Sequence, residues 1–141
     1  MKTSARNALR GTVTAVTDGA VNAEVTLKIA DGLEVVAVIT RQSVADLALA
    51  PGREVIALIK SSFVILAKDS DDLRTSARNH LKGVVVGCDD GAVNSEVTLA
   101  LDDGKTLTAT ITRESRRELD LKVGAMAVAL IKASHVILAV E

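Results

Sequence analysis

The sequence predicts an all-β protein with short helices, built as two tandem copies of one small five-stranded barrel. Three observations predict it. The chain aligns with itself at a shift of 72 residues. Within each copy the dominant hydrophobic period is two. The apolar residues are nearly all Ala, Val, Leu and Ile, with one aromatic ring, Phe63, in 141 residues. Small aliphatic side chains suit strands packed tightly around a narrow barrel.

The repeat sets the domain organisation. TSARN at 3–7 recurs at 75–79, and DGAVNAEVTL at 18–27 recurs as DGAVNSEVTL at 90–99. ITRQS at 39–43 recurs as ITRES at 111–115, and ALIKSSFVILA at 57–67 recurs as ALIKASHVILA at 129–139. Two units are expected, 1–69 and 70–141. Two copies are a duplication and not a solenoid, which needs three or more. The joint Lys68-Asp69-Ser70-Asp71-Asp72-Leu73-Arg74 is short, charged and free of Gly and Pro. The copies are therefore expected to lie close together.

Each element of the first copy follows from local pattern. A strand covers roughly Leu9 to Val16 and ends at Asp18-Gly19. Ala23, Val25, Leu27 and Ile29 alternate with Asn22, Glu24, Thr26 and Lys28, the pattern of a half-buried strand. Asp31-Gly32 is a hairpin dipeptide whose residues tolerate positive φ, and Leu33, Val35, Ala37 and Ile39 form the return strand. Thr40 reads as the N-cap of a short helix over Arg41 to Leu49, with Val44 and Leu47 as its apolar stripe. Pro51-Gly52 ends it. Two apolar runs, Val55–Ile59 and Phe63–Ala67, close the copy as strands expected to be buried on both faces. Three strands, a helix and two strands is the order of the OB-type Greek-key barrel. The second copy reads the same way, with Asp103-Gly104 as its hairpin turn. A unit this small buries little surface, and Val36 and Val38 add apolar surface opposite the core face. Tight pairing of the copies or oligomerisation is expected.

Composition excludes several functions. The net charge of −1 lacks the basic excess of a nucleic-acid binder. An OB-fold nucleic-acid-binding module is the main alternative reading. Such modules stack bases on aromatic rings, and one phenylalanine cannot supply that platform. Cys88 is the only cysteine, so no intrachain disulfide forms. Cys88, His80 and His135 do not cluster, and they align with Val16, Ala8 and Phe63. No metal-cation site and no organic cofactor is expected. No nucleophile–base pair recurs in both copies, so no enzyme is expected. The N-terminus lacks a signal-peptide run, and no apolar stretch approaches the ~20 residues that span a bilayer. A cytoplasmic protein without membrane or nucleic-acid partners is expected.

The polar residues shared by both copies point to an anion. Ser4 and Arg6 precede the first strand, Thr40 and Ser43 open the helix, and Lys60 and Ser61 fill the last turn. The second copy supplies Ser76, Arg78, Thr112, Ser115, Lys132 and Ala133. The set contains donors and cations and no carboxylate, which is what an oxyanion requires. Each residue has a structural reading as well. Thr40 caps a helix, Ser4 and Arg6 form a solvated arm, and Lys60 either reaches solvent or meets an anion. The loops Gly19-Ala20-Val21-Asn22 and Gly91-Ala92-Val93-Asn94 are a second candidate, since a Gly-led turn can aim backbone amides at an anion. Their structural reading is an ordinary turn into the second strand.

TSARN before a G-x-V strand, DGAVN, A-x-I-T-x-x-S, and LIK-[SA]-S before a last apolar strand together resemble the Mop domain of the molbindin family, once per copy. The resemblance is to the two-domain (di-Mop) cytoplasmic members. It implies an OB-like barrel, a trimer, and non-catalytic binding of molybdate or tungstate at subunit and domain interfaces. It implies the anion ligands too: Ser and Arg of SARN, Thr and Ser of I-T-x-x-S, and Lys of LIK with the following amide. Ala133, where the first copy has Ser61, departs from the pattern and keeps only the amide. The GAVN loops would serve secondary sites.

Overall fold

The structure, a computed structural model, describes residues 1–141 and every side chain but that of Asp103. The first copy forms β1 (Asn7–Asp18), β2 (Asn22–Ala30), β3 (Leu33–Thr40), α1 (Arg41–Asp46), β4 (Glu54–Ile59) and β5 (Ile65–Lys68). The second forms β6 (Asn79–Asp90), β7 (Asn94–Ala100), β8 (Thr106–Thr112), α2 (Arg113–Glu118), β9 (Met126–Ile131) and β10 (Ile137–Ala139). Short 3-10 turns at Ser61–Phe63 and Ala133–His135 lead into β5 and β10. The architecture is two OB-like five-stranded barrels with only short helices.

The sheets do not follow the two copies. One runs β10-β4-β1-β2-β3, and the other β5-β9-β6-β7-β8. Each barrel takes four strands from one copy and its last strand from the other. Ile137 to Ala139 pair with Leu58 to Ile56, and Ile65 to Lys68 pair with Leu130 to Ala127. The exchange merges the interiors. Leu9, Val25, Leu27 and Ile59 belong to the same buried cluster as Leu81, Val97, Leu99 and Ile131.

Within each barrel one long strand holds the fold. β1 pairs with β4 through its first half, Asn7–Thr12, and with β2 from Thr12 to Asp18. The register shifts between Val13 and Ala15, a bulge that lets the strand bend between its two neighbours. β6 repeats the shift between Val85 and Gly87. Gly11 sits at the bend, where a Cβ would stand 2.7 Å from the Lys28 carbonyl oxygen. Gly83 meets the Ala100 carbonyl at the same distance.

Some expectations change. The helix is shorter than Arg41 to Leu49 and ends at Asp46. A Schellman closure stops it: Leu49 N–H bonds to Val44 C=O at 3.0 Å, and Ala48 N–H to Ala45 C=O at 3.1 Å. The Asp103-Gly104 hairpin forms as expected, but its turn is a 3-10 turn over Asp102–Gly104, with Ala100 paired to Thr106. Lys105 replaces the buried Leu33 there, so the strand loses its first inward anchor. β5 and β10 are not buried on both faces: Ile65 and Ile137 remain 63% and 64% exposed. Both are edge strands, so their outer faces lack a covering layer within one chain.

The Schellman closures place Ala48 at φ 51° and Asp120 at φ 50°. This left-handed region is unfavourable for residues with a Cβ. Ala48→Gly is expected to raise stability by about 0.5 kcal/mol, the relief of strain exceeding the entropy added to the unfolded chain. Asp120→Gly should gain less, because Asp tolerates this conformation better. Urea midpoints check both, and a lower midpoint for Ala48→Gly would contradict the assignment.

Candidate functional site

The strand exchange decides which candidate residues meet. Asn7 pairs with Ile59, so Arg6 and Lys60 flank one strand pair and emerge at the same end of the first barrel. The Lys60 turn then crosses to the second copy. There the Ser61 hydroxyl lies 2.8 Å from the Thr110 hydroxyl on β8, whose strand ends at Thr112. Ser61 and its turn therefore face β8 of the second copy. The reciprocal site follows. The turn after Lys132 packs on β3. A cleft of about 260 Å³ is lined by Thr40, Ser43 and Leu47 from one copy and Ser134, Ile137 and Leu138 from the other.

The helix starts behave as their sequence requires. Thr40 Oγ1 accepts from the Ser43 N–H at 3.0 Å and donates to the Ser43 hydroxyl at 2.9 Å. Thr112 and Ser115 repeat this at 3.1 and 2.9 Å. Both hydroxyl pairs stay accessible at the barrel rim. Lys60 and Lys132 are exposed, and Lys60 Nζ stands 5.4 Å from the Phe63 ring centroid. Phe63 stacks on His135 with centroids 4.5 Å apart, so these two aligned positions of the repeat meet each other.

The arginines are engaged. Arg6 donates to both carboxylate oxygens of Glu96, with Nη2 2.7 Å from Oε1 and Nη1 on Oε2. Arg78 grips Glu24 in the same way, at 2.6 and 2.9 Å. Arg78 holds the Glu24 carboxyl below the ordinary carboxylate range through these hydrogen bonds. The donor-only set expected from sequence thus has a carboxylate beside each arginine. Ser4 and Ser76 lie exposed in the arms just before.

Ala133 has a structural explanation. Ser61 faces Thr110, whereas Ala133 faces the strand carrying Val38 in the equivalent place. One interface has a polar pair and the other an apolar one. The Ser61 hydroxyl is spent on Thr110, and what the two turns share is the backbone amide.

The GAVN loops lie beside the helix starts, since Asn22 pairs with Thr40 and Asn94 with Thr112. Gly19 N–H bonds to Asn22 C=O at 2.7 Å, and Gly91 to Asn94 at 2.7 Å. The Val21 and Val93 carbonyls accept the Arg41 and Arg113 N–H groups, each at 2.9 Å. The leading amide of each loop is therefore used inside its own turn. Ala20 and Ala92 form the exposed tips with Val21 and Val93.

Sequence reasoning passed over two pairs. Asn7 and Asn79 are buried, and each clamps the opposite copy. Asn7 accepts from Thr108 N–H at 2.7 Å and donates to Thr108 C=O at 2.8 Å. Asn79 does the same to Val36, at 2.7 and 2.9 Å. Glu24 and Glu96 are the other pair. The available signal was identity in both copies: a polar residue at an inward position for Asn, and an acid kept at one rim position for Glu. Among the described residues no group of three or more His, Cys, Asp or Glu could hold a metal ion. No helix is long and apolar enough to cross a membrane.

Known proteins align with the whole chain. Its sequence is 55% identical over 139 residues to the molybdenum-pterin-binding protein MopA of Rhodobacter capsulatus. It is 46% identical over 140 residues to the molybdenum transport protein ModE of Azotobacter vinelandii. These alignments take in 99% of this chain, which spans about half of each relative, 52%. A crystal structure of the cytoplasmic molybdate-binding protein ModG with molybdate bound superimposes with a TM-score of 0.97. It is 51% identical, and the match covers 100% of both chains. The TOBE domain matches residues 3–66 and again 75–138. With the domain found twice and a full-length structural match, the chain belongs to the TOBE-domain family, in its two-domain molbindin branch.

Proposed function

We propose that this protein binds molybdate, or tungstate, without catalysing a reaction, and serves intracellular storage and homeostasis of the oxyanion. The observation that carries this reading is the cross-copy meeting of donors. The exchange sets Arg6 on β7 and the turn after Lys60 against β8, which ends at Thr112, the cap of the helix that carries Ser115. It sets the turn after Lys132 against β3, which ends at Thr40. The ligand set would be Ser4, Arg6, Lys60, the Ser61 amide, Thr112 and Ser115, with its reciprocal Ser76, Arg78, Lys132, the Ala133 amide, Thr40 and Ser43. Units 1–69 and 70–141 then act as one binding body. The full-length likeness to a molybdate-bound structure supports it. The GAVN loops would hold secondary sites through their remaining amides, residues 20–22 and 92–94.

Partners in this reading are the oxyanion and further copies of the chain, not nucleic acid or membrane. Ile65, Ile137, Val86 and Phe63 are all at least 43% exposed, and such surface supports a homo-oligomer, which we take as a trimer. Sedimentation equilibrium at micromolar concentration checks it, and a species of one chain only would contradict it.

Calorimetric titration with molybdate, tungstate, sulfate and phosphate tests the function. The chain lacks Trp and Tyr, so heat is a better reporter than intrinsic fluorescence. Molybdate and tungstate should bind tightly. Phosphate, partly protonated at neutral pH, needs an acceptor at the site and should bind poorly. Equal affinities for molybdate and phosphate would overturn the reading.

A further inference from the structure

We propose that Glu24 and Glu96 set the affinity of the oxyanion sites: each holds the arginine of the opposite copy until an incoming dianion displaces it. The inference rests on the reading of Arg6 and Arg78 as oxyanion ligands. Its basis is the pair of bidentate grips, Arg6 on Glu96 and Arg78 on Glu24, both crossing between copies.

Three observations give the pairs this role. First, the carboxylates occupy the guanidinium forks. Planar bidentate donation is the arrangement by which Arg takes an oxyanion, so carboxylate and tetrahedral anion compete for the same N–H groups. Second, the pairs are open. Arg6 and Arg78 side chains are 53% and 52% exposed, and Glu96 and Glu24 are 34% and 37% exposed. An ion can enter, and the freed carboxylate can turn to water. Third, the glutamates are not needed to place the arms. Asn7 and Asn79, each next in sequence to the arginine, already fix the backbone there through buried bonds to the other copy.

Charge decides the direction of the effect. A carboxylate at ~6 Å from a dianion in a water-like dielectric repels it enough to lower affinity about tenfold. The exposed ion pair that must break adds a smaller factor, up to about fivefold. Losing the ordering that the carboxylate gives the arginine opposes these but is the weaker effect at an exposed site. The glutamates therefore weaken binding and make release easier. The two copies differ at another outward position of the same strand, Lys28 against Ala100, yet both keep the acid.

The test is a mutant cycle read by calorimetry with sodium molybdate near neutral pH. The four proteins are the unsubstituted chain, Glu24→Gln with Glu96→Gln, Arg6→Ala with Arg78→Ala, and all four substitutions together. The Gln variant should bind molybdate about tenfold or more tightly, and the gain should shrink by up to about fivefold when the arginines are absent, because the ion pair to be broken is then gone while the repulsion remains. Unchanged or weaker binding by the Gln variant, with the Ala variant clearly impaired, overturns this inference alone. A gain of undiminished size without the arginines shows plain repulsion alone and overturns displacement. An Ala variant that binds like the unsubstituted chain overturns the site reading beneath it. Carbon NMR of the Glu24 and Glu96 carboxyl groups needs no substitution. Their resonances should move toward those of a free carboxylate on saturation with molybdate, and fixed resonances would overturn the proposal.

Discussion

Replacing Asn7 by Ala should destabilise the fold by about 2–4 kcal/mol, because a buried donor and a buried acceptor each lose their partner. The Asn7 amide imitates a peptide group. It closes the edge of β8 by pairing with both Thr108 N–H and C=O, and it also donates to Ile59 C=O at 3.2 Å. Thr108 is only 8% exposed, so water cannot readily replace the lost bonds. Asn79→Ala should cost less. Its partner Val36 is half-buried, and solvent can reach the freed groups. Asn7→Asp should be the more damaging exchange at that position, since a carboxylate would turn an acceptor toward the Thr108 and Ile59 carbonyls. Urea unfolding gives the order directly. Midpoints unchanged from the parent in both Ala variants would show that the clamps carry no stability.

The second large effect is expected on binding. Lys60→Ala together with Lys132→Ala should weaken molybdate affinity about ten- to a hundredfold, since at the proposed sites each loss would remove a charge-assisted hydrogen bond of ~1.5–3 kcal/mol. Arg6→Ala with Arg78→Ala should weaken it less, because each arginine must first leave a glutamate. Neither pair should unfold the protein. Both lysines are exposed, and both arginines are about half exposed. Low salt should enlarge the lysine effect and moderate salt should shrink it, as screening requires. Folded lysine variants with undiminished affinity would move the site toward the GAVN loops.

Asn and Glu illustrate why parts of the site were hard to read. The sequence pattern reports which face of a strand is inward. It does not report what lies beyond that face. Asn7 at an inward position looked like part of an arm because its partners, Thr108 and Ile59, lie 101 and 52 residues away. Glu24 looked like an ordinary outward acid, and only the approach of Arg78 gives it a role. Thr40 and Thr112 were legible because a helix cap depends on a partner three residues away.

By itself the sequence determined the duplication, the alternating strands, the capped short helices and the glycine-led turns, all of which depend on neighbours within a few residues. Tertiary structure alone decided which copy each last strand joins. VILA occurs at 64–67 and at 136–139, and ALIK at 57–60 and at 129–132. β5 would therefore find the same hydrogen bonds and nearly the same side chains on β4 as on β9. Local chemistry cannot distinguish equal partners. The crossing of the Ser61–Phe63 and Ala133–His135 turns selects the exchanged pairing, and with it the meeting of each lysine turn with the opposite copy.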